Sequence, residues 1–331
     1  MRSLFLIQLF ACSAEHTPLR DSQRFWNEAP VEIIRDNHGV PHLYAASDID
    51  LFHAAGYQLG IDRLYQAEML RRFSQGRLSE VIGEAGIERD QQVRIFDIPR
   101  WGQADMEWME ENDPERVDLL KAWVSGINRR VDEVLNKTAP LPFGYGPEGH
   151  DFLPTHWDEV DAYTVLKGAN FALDKTLEFE IAITLLETLY PETMESIDVF
   201  RPGVPTFAMP ETERHPADIH GEQPAIPGPK IKAFGDEIFQ SLTAFRRPSG
   251  SNSWAIAGQH TTTGHAAIAG DPHLGFDFFG SPMPMHLNSL DGGGSYNVAG
   301  FAFPGTPGIA LGQTNTVAWT ATSAFVDVMD V

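Results

Sequence analysis

The sequence predicts an α+β fold in which helices and strands occupy different stretches of the chain. Three observations carry this. Long segments with apolar residues at helical spacing fill the chain before residue 200. Eight prolines then fall within residues 201–248, where almost no periodicity persists. After Gly250 the composition turns to Gly, Thr, Ala and short apolar alternations broken by turn residues, the texture of strands.

Composition narrows the class. A chain of 331 residues with 42% hydrophobic and 11% aromatic residues has enough apolar surface for a sizeable core, which argues against disorder or a fibre. Its net charge of −22 repels a phosphate backbone and an anionic bilayer alike, so nucleic acid is not an expected partner. One cysteine, Cys12, makes neither an internal disulfide nor a cysteine-built zinc site. No apolar run reaches the roughly 18 to 20 residues of a membrane-spanning helix. Residues 1–22, with Arg2, the apolar stretch Leu4 to Ala11 and then Cys12, have the order of an export leader that ends like a bacterial lipoprotein signal. Gln8 and Phe10 depart from that pattern. The expectation is a periplasmic or exported protein that meets a membrane only through a lipid anchor at Cys12.

Val31 to Arg35 and Val40 to Tyr44 read as strands around the turn Asp36-Asn37-His38-Gly39. Ser47 with Asp48 and Asp50 caps a long helix, or bent helix pair, that ends near Gly76. Pro114 opens a second helix through Trp123 and Ile127, with Lys137 at its end. Four prolines break residues 138–155, and a third helical region runs from near Glu159 towards Tyr190. The expected domains are residues 23–200, mainly helical; 201–250, a proline-rich spacer; and 251–331, strands.

Several constellations carry little chemistry on inspection. His38 and His42 have a metal-ligand spacing only on a helix, which Gly39 and Pro41 forbid; a turn with surface histidines is the better reading. Gly292-Gly293-Gly294 lacks the lysine of a P-loop. The cluster Ser249 to Ser253 lacks the glycine spacing of a nucleophile elbow.

Ser251 stands out by place, at the junction of spacer and strand. A hairpin centred on Thr262 sets residue i opposite 524 − i, so Ser251 faces His273 within a couple of residues. A hydroxyl nucleophile needs a base, and a chain-terminal residue carries one in its α-amine, whose ordinary pKa is about 7.7 to 8.0. Such a serine requires cleavage after Gly250, where glycine leaves room for a twisted peptide. A polar strand start beside a turn histidine is the other reading, and these residues alone favour it.

A wider pattern does bear on it. Ile34-Arg-Asp-Asn-His-Gly-Val-Pro-His-Leu-Tyr-Ala45, Gly56-Tyr-Gln-Leu-Gly-Ile-Asp-Arg-Leu-Tyr-Gln-Ala-Glu-Met-Leu-Arg-Arg72, Gly76-Arg-Leu-Ser-Glu80, Gly250-Ser-Asn-Ser-Trp-Ala255 and Gly270-Asp-Pro-His-Leu274 follow one another along the chain. In content and order they resemble the penicillin acylase family of N-terminal nucleophile (Ntn) hydrolases, precursors that cut themselves into two chains. The resemblance implies a helical first chain and the start of an αββα sandwich with stacked antiparallel sheets. It implies hydrolysis of the linear amide of an N-acylated small molecule, β-lactam side-chain amides and N-acyl-homoserine lactones among them, by a protein assembled from its own α and β chains. Ser251 is then the nucleophile freed from Gly250, His273 has a positional role or one in self-cleavage, and the backbone N–H of Ser323, in Trp319-Thr-Ala-Thr-Ser-Ala-Phe325, helps hold the oxyanion. Glu178, Asp327, Asp330 and the Met329 carbonyl match a structural calcium site. Phe171, Leu274, Ala310 and Leu311 match acyl-pocket positions, although each also suits ordinary core. No organic cofactor is implied.

The stretch from Ser251 onward is 81 residues, shorter than the family's second chain, and lacks its further oxyanion donor and arginine. The expectation is a truncated precursor with unpaired strand edges, inactive and aggregation-prone alone. A lipid-anchored, non-catalytic binding protein on the same scaffold is the alternative from another class.

Overall fold

The computed structural model describes residues 30–173, 250–274 and 282–322, with the backbone of Phe5–Ile7. These residues lie in one of the chain's two compact units. The remainder of the expected leader, residues 174–249 of the third helical region and spacer, and the segment from Ser323 onward fall outside them.

Strand β1 (Phe5–Ile7) pairs with β2 (Glu32–Arg35), which turns into β3 (Pro41–Tyr44) as expected. The turn is closed by Asp36, whose carboxylate accepts from the backbone N–H of His38 and Val40, while Gly39 takes a φ of 79°. Helix α1 (Asp48–Ser74) starts at Ser47, whose hydroxyl accepts from the Asp50 N–H. It is bent at Arg63, whose φ of −140° is not helical, and it stops before Gly76 at a φ of 64°.

The segment after Gly76 forms α2 (Ser79–Ile82), α3 (Ile87–Ile95) and α4 (Ile98–Asn112), none of which the sequence pattern announces. α5 (Pro114–Leu135) opens on the expected proline, with Asp113 accepting from the Arg116 N–H, and α6 (Glu159–Leu173) begins at the expected position. Helices α1 and α5 cross in close contact through glycine. A Cβ on Gly56 would collide with the Trp123 carbonyl, and one on Gly126 with the His53 carbonyl.

Residues beyond the spacer form the hairpin β4 (Gly250–Ile256) and β5 (Ala267–His273), followed by β6 (Met283–Asn288), β7 (Asn297–Ala302), β8 (Leu311–Gln313) and β9 (Ala318–Trp319). The larger sheet has the order β1-β2-β3-β6-β7-β8-β9, and β4-β5 form a sheet of their own. Every pair is antiparallel except β3 with β6, so the larger sheet is mixed. Among the described residues that parallel seam joins chain from before the proline-rich residues 201–248 to chain from after them. One core reflects the same union: Ile33 and Leu43, Leu51 and Leu59 of α1, Trp123 and Ile127 of α5, and Met285 and Leu287 of β6 are all buried in it. The Asp48 carboxylate adds a polar tie, accepting from the Ser289 hydroxyl and the Ser295 N–H at 2.5 and 2.8 Å.

His53, buried beside α5 with its Nδ1 2.9 Å from Ser125 Oγ, makes the fold acid-sensitive. Burial, helped by the positive charge of Arg129, pushes its pKa down from 6.5 to about 4. Below the ordinary value the unfolded chain takes up a proton that the folded chain refuses. The contribution of His53 is therefore complete above pH 6.5 and is lost as the pH falls from 6.5 towards 4, by about 3 kcal/mol. Urea unfolding at stepped pH is expected to show that limb in the protein and a flatter one in His53→Gln. Identical limbs would remove His53 as the cause.

Candidate active site

The β4-β5 hairpin brings several of the expected residues together. β4 and β5 pair with Ser251 opposite Pro272 and Gly250 opposite His273. The sum of facing residue numbers is thus 523, one less than the hairpin centred on Thr262 requires. The connection 257–266 is even-numbered and folds through the 3₁₀ turn Gly258–His260, so its midpoint falls between Thr261 and Thr262.

One residue of register decides which face a side chain occupies. Gly250, Asn252, Asp271 and His273 share one face. Ser251 lies on the other. His273 thus lies within one residue of Ser251 across the hairpin, inside the expected range, and its imidazole is beside the glycine end of the Gly250–Ser251 peptide. Its Nε2 lies 3.0 Å from Asp271 Oδ2 and 3.2 Å from Asn252 Nδ2, and its Nδ1 is 3.4 Å from where a Cβ on Gly250 would be. Asn252 and Asp271 lie within residues 250–255 and 270–274, and no signal in the sequence distinguishes them from their neighbours there.

The Ser251 hydroxyl is turned back on the preceding residue, donating at 2.6 Å to the Gly250 carbonyl oxygen. The nucleophile candidate therefore sits against the carbonyl of the bond it would have to cut. On the downstream side Thr322 Oγ1 donates to the Ser251 carbonyl at 3.2 Å, and the Thr320 side chain occupies the space left by the missing Cβ of Gly270. The segment ending at Thr322 is thus fastened to the residue that carries the hydroxyl. Ser323 is the next residue and lies outside the described ones, as do Glu178, Asp327, Met329 and Asp330. Among the described residues no group of three or more His, Cys, Asp or Glu is placed to hold a metal ion.

The four candidate pocket residues are dispersed over three elements. Phe171 of α6 packs against Phe96, ring centres 5.2 Å apart, and against the small core of Met69, Phe73 and Leu78. Leu274 follows His273 directly at the end of β5 and is half-buried. Ala310 is exposed and Leu311 half-buried at the start of β8, where the Trp319 indole N–H donates to the Ala310 carbonyl at 2.9 Å.

Comparison with known proteins places the chain in a family. The penicillin amidase family model matches residues 30–331. The chain belongs to the penicillin amidase family. It is 31% identical over 313 residues to the penicillin acylase 2 proenzyme of Pseudomonas sp. strain SE83, covering 92% of this chain and 37% of that protein. It is 26% identical to Escherichia coli penicillin G acylase over 92% of this chain and 40% of the relative. The acyl-homoserine lactone acylase QuiP of Pseudomonas aeruginosa is also 26% identical, over 91% of this chain and 34% of the relative. The chain therefore spans well under half the length of these curated relatives. Among solved structures, the thermostable penicillin G acylase of Alcaligenes faecalis aligns with a TM-score of 0.44 at 26% identity, over 55% of this chain and 98% of that one.

Proposed function

We infer that this chain is part of a self-processing amidohydrolase that cleaves the linear amide of N-acylated small molecules through an ester on Ser251. The single observation that carries the reading is the Ser251 hydroxyl, 2.6 Å from the Gly250 carbonyl oxygen at the head of β4, within a chain of the penicillin amidase family. Relatives named as penicillin acylases and as acyl-homoserine lactone acylases support the substrate class and leave the acyl group open between them.

The chemistry proceeds in two stages. In the first, Ser251 Oγ adds to the Gly250 carbonyl carbon, the bond from that carbon to the Ser251 nitrogen breaks, and the nitrogen takes the hydroxyl proton. Water then hydrolyses the resulting ester, releasing the Gly250 carboxylate and a Ser251 with both hydroxyl and amine free. In the second, the amine accepts the Oγ proton as Oγ attacks the acyl carbon of a substrate amide. The amine product leaves with that proton, and water cleaves the acyl ester. A backbone N–H preset at the developing oxyanion is a large term in such a reaction. Ser323 is assigned that duty, and the Thr322 bond to the Ser251 carbonyl supports it by holding the preceding residue in place. His273, fixed by Asp271 beside Gly250, is a positioning residue for the first stage.

The same reading includes export and a structural calcium ion on Glu178, Asp327, Asp330 and the Met329 carbonyl, a set of oxygen donors suited to a hard cation. Intact-mass analysis of the full-length protein tests the core of it. A second chain beginning at Ser251 is expected, and an unbroken backbone in a preparation that turns over acyl amides would overturn the assignment.

A further inference from the structure

The parallel seam between β3 and β6 sets His42 directly opposite His286. Leu43 and Leu287, their neighbours in the two strands, point into the core, and both histidines lie half-buried on the other face. Their Nδ1 atoms stand 3.1 Å apart.

The far side of each ring faces an oxygen. His286 Nε2 is 3.0 Å from Asn297 Oδ1, and His42 Nε2 is 3.7 Å from Asp36 Oδ2. An Nε2–H donated to Asn297 Oδ1 leaves His286 Nδ1 without a proton, and the matching tautomer of His42, with its Nε2–H turned towards the Asp36 carboxylate, leaves a second bare nitrogen opposite it. Two nitrogen lone pairs then point at one another, which is repulsive unless a cation lies between them. Two imidazole nitrogens bound at about 2.0 to 2.1 Å to one ion are about 2.9 to 3.4 Å apart for right-angled to tetrahedral geometry. The observed 3.1 Å falls inside that span. The outward hydrogen bond of His286 to an amide oxygen is also the kind of contact that orients metal-binding histidines.

We propose that His42 and His286 form a two-imidazole site for a divalent transition ion of the Zn(II), Ni(II) or Cu(II) class. Imidazole donors select these ions over Ca(II) and Mg(II), which prefer oxygen. Water fills the other positions, since the His42 side chain keeps 32% of its exposure. The ion fastens chain from before the spacer to chain from after it, and does so whether or not the Gly250–Ser251 bond is cut. The net charge of −22 favours cation uptake. This site is independent of the acylase reading.

Calorimetric titration of ZnCl2 into the chelator-treated full chain tests it. One equivalent is expected to bind and to raise the unfolding temperature. His42→Gln and His286→Gln each abolish that equivalent, Asn297→Ala weakens it about tenfold, and His38→Ala, at an exposed turn position, leaves it unchanged. Histidine-ring NMR of the unmutated protein serves as a second readout, with the Nδ1 signals of His42 and His286 shifting together at one equivalent of Zn(II). No uptake by the unmutated protein, which would mean a shared proton only, overturns the proposal. So does uptake that survives loss of either imidazole.

Discussion

Ser251→Ala leaves the full-length polypeptide as one uncut chain and lowers acyl-amide hydrolysis by on the order of 10⁴-fold or more. The two losses have one cause in the proposed chemistry, because the hydroxyl that opens the Gly250 carbonyl is the hydroxyl that later carries the acyl group. The fold has little stake in it. Ser251 is half-buried and, among the described residues, its hydroxyl hydrogen-bonds to its own preceding carbonyl, so its removal costs about 1 kcal/mol or less. Unfolding midpoints of variant and parent are therefore expected to agree while mass spectrum and turnover separate sharply. A variant still cut before residue 251 would remove the serine from the first stage, and retained hydrolysis would remove it from the second.

The β4-β5 hairpin was legible in the sequence because local signals coincide there: short apolar alternations on either side of a turn-rich connection. The turn at Asp36 to Gly39 and the helix starts at Ser47 and Pro114 were legible for the same reason, since caps and turns are written in adjacent residues. What escaped is long-range or weakly patterned. Helices α2 to α4 leave Ile95, Trp101 and Trp108 exposed, which blurs the apolar period that announces a helix. The pairing of β3 with β6 joins residues separated by most of the chain, and no local pattern encodes it. Within the β4-β5 hairpin the sequence brings His273 to Ser251 within a couple of residues, but the face its side chain takes turns on a single residue of register, finer than a loop midpoint fixes.

Glu68→Ala is expected to lower the unfolding free energy by about 3 to 5 kcal/mol. The sequence shows Glu68 only as one letter of the Gly56 to Arg72 motif; the fold makes it the centre of a buried ionic cluster. Glu68 is 0% exposed, with Arg71 and Arg72 at 4% and 8%, and its carboxylate accepts from Arg71 Nη2 at 2.5 Å and Arg72 Nε at 2.9 Å. The remaining arms of the guanidinium groups reach Asp161 at 2.9 Å and Glu80 at 2.6 Å, and Arg71 also donates to the His156 carbonyl at 2.7 Å. Removing the central carboxylate leaves two cations close together with one carboxylate apiece. Asp161 is a poor substitute, because burial raises its pKa against the opposing pull of Arg71. Glu68→Gln keeps acceptor geometry on one side and loses the charge, so its cost should fall between those of parent and alanine variant. Urea unfolding with unchanged m-value measures both. A loss below about 1 kcal/mol for Glu68→Ala would mean that water or a shifted arginine compensates, and the cluster would not be what ties the loop at Thr155 and His156, and through it α6, to α1.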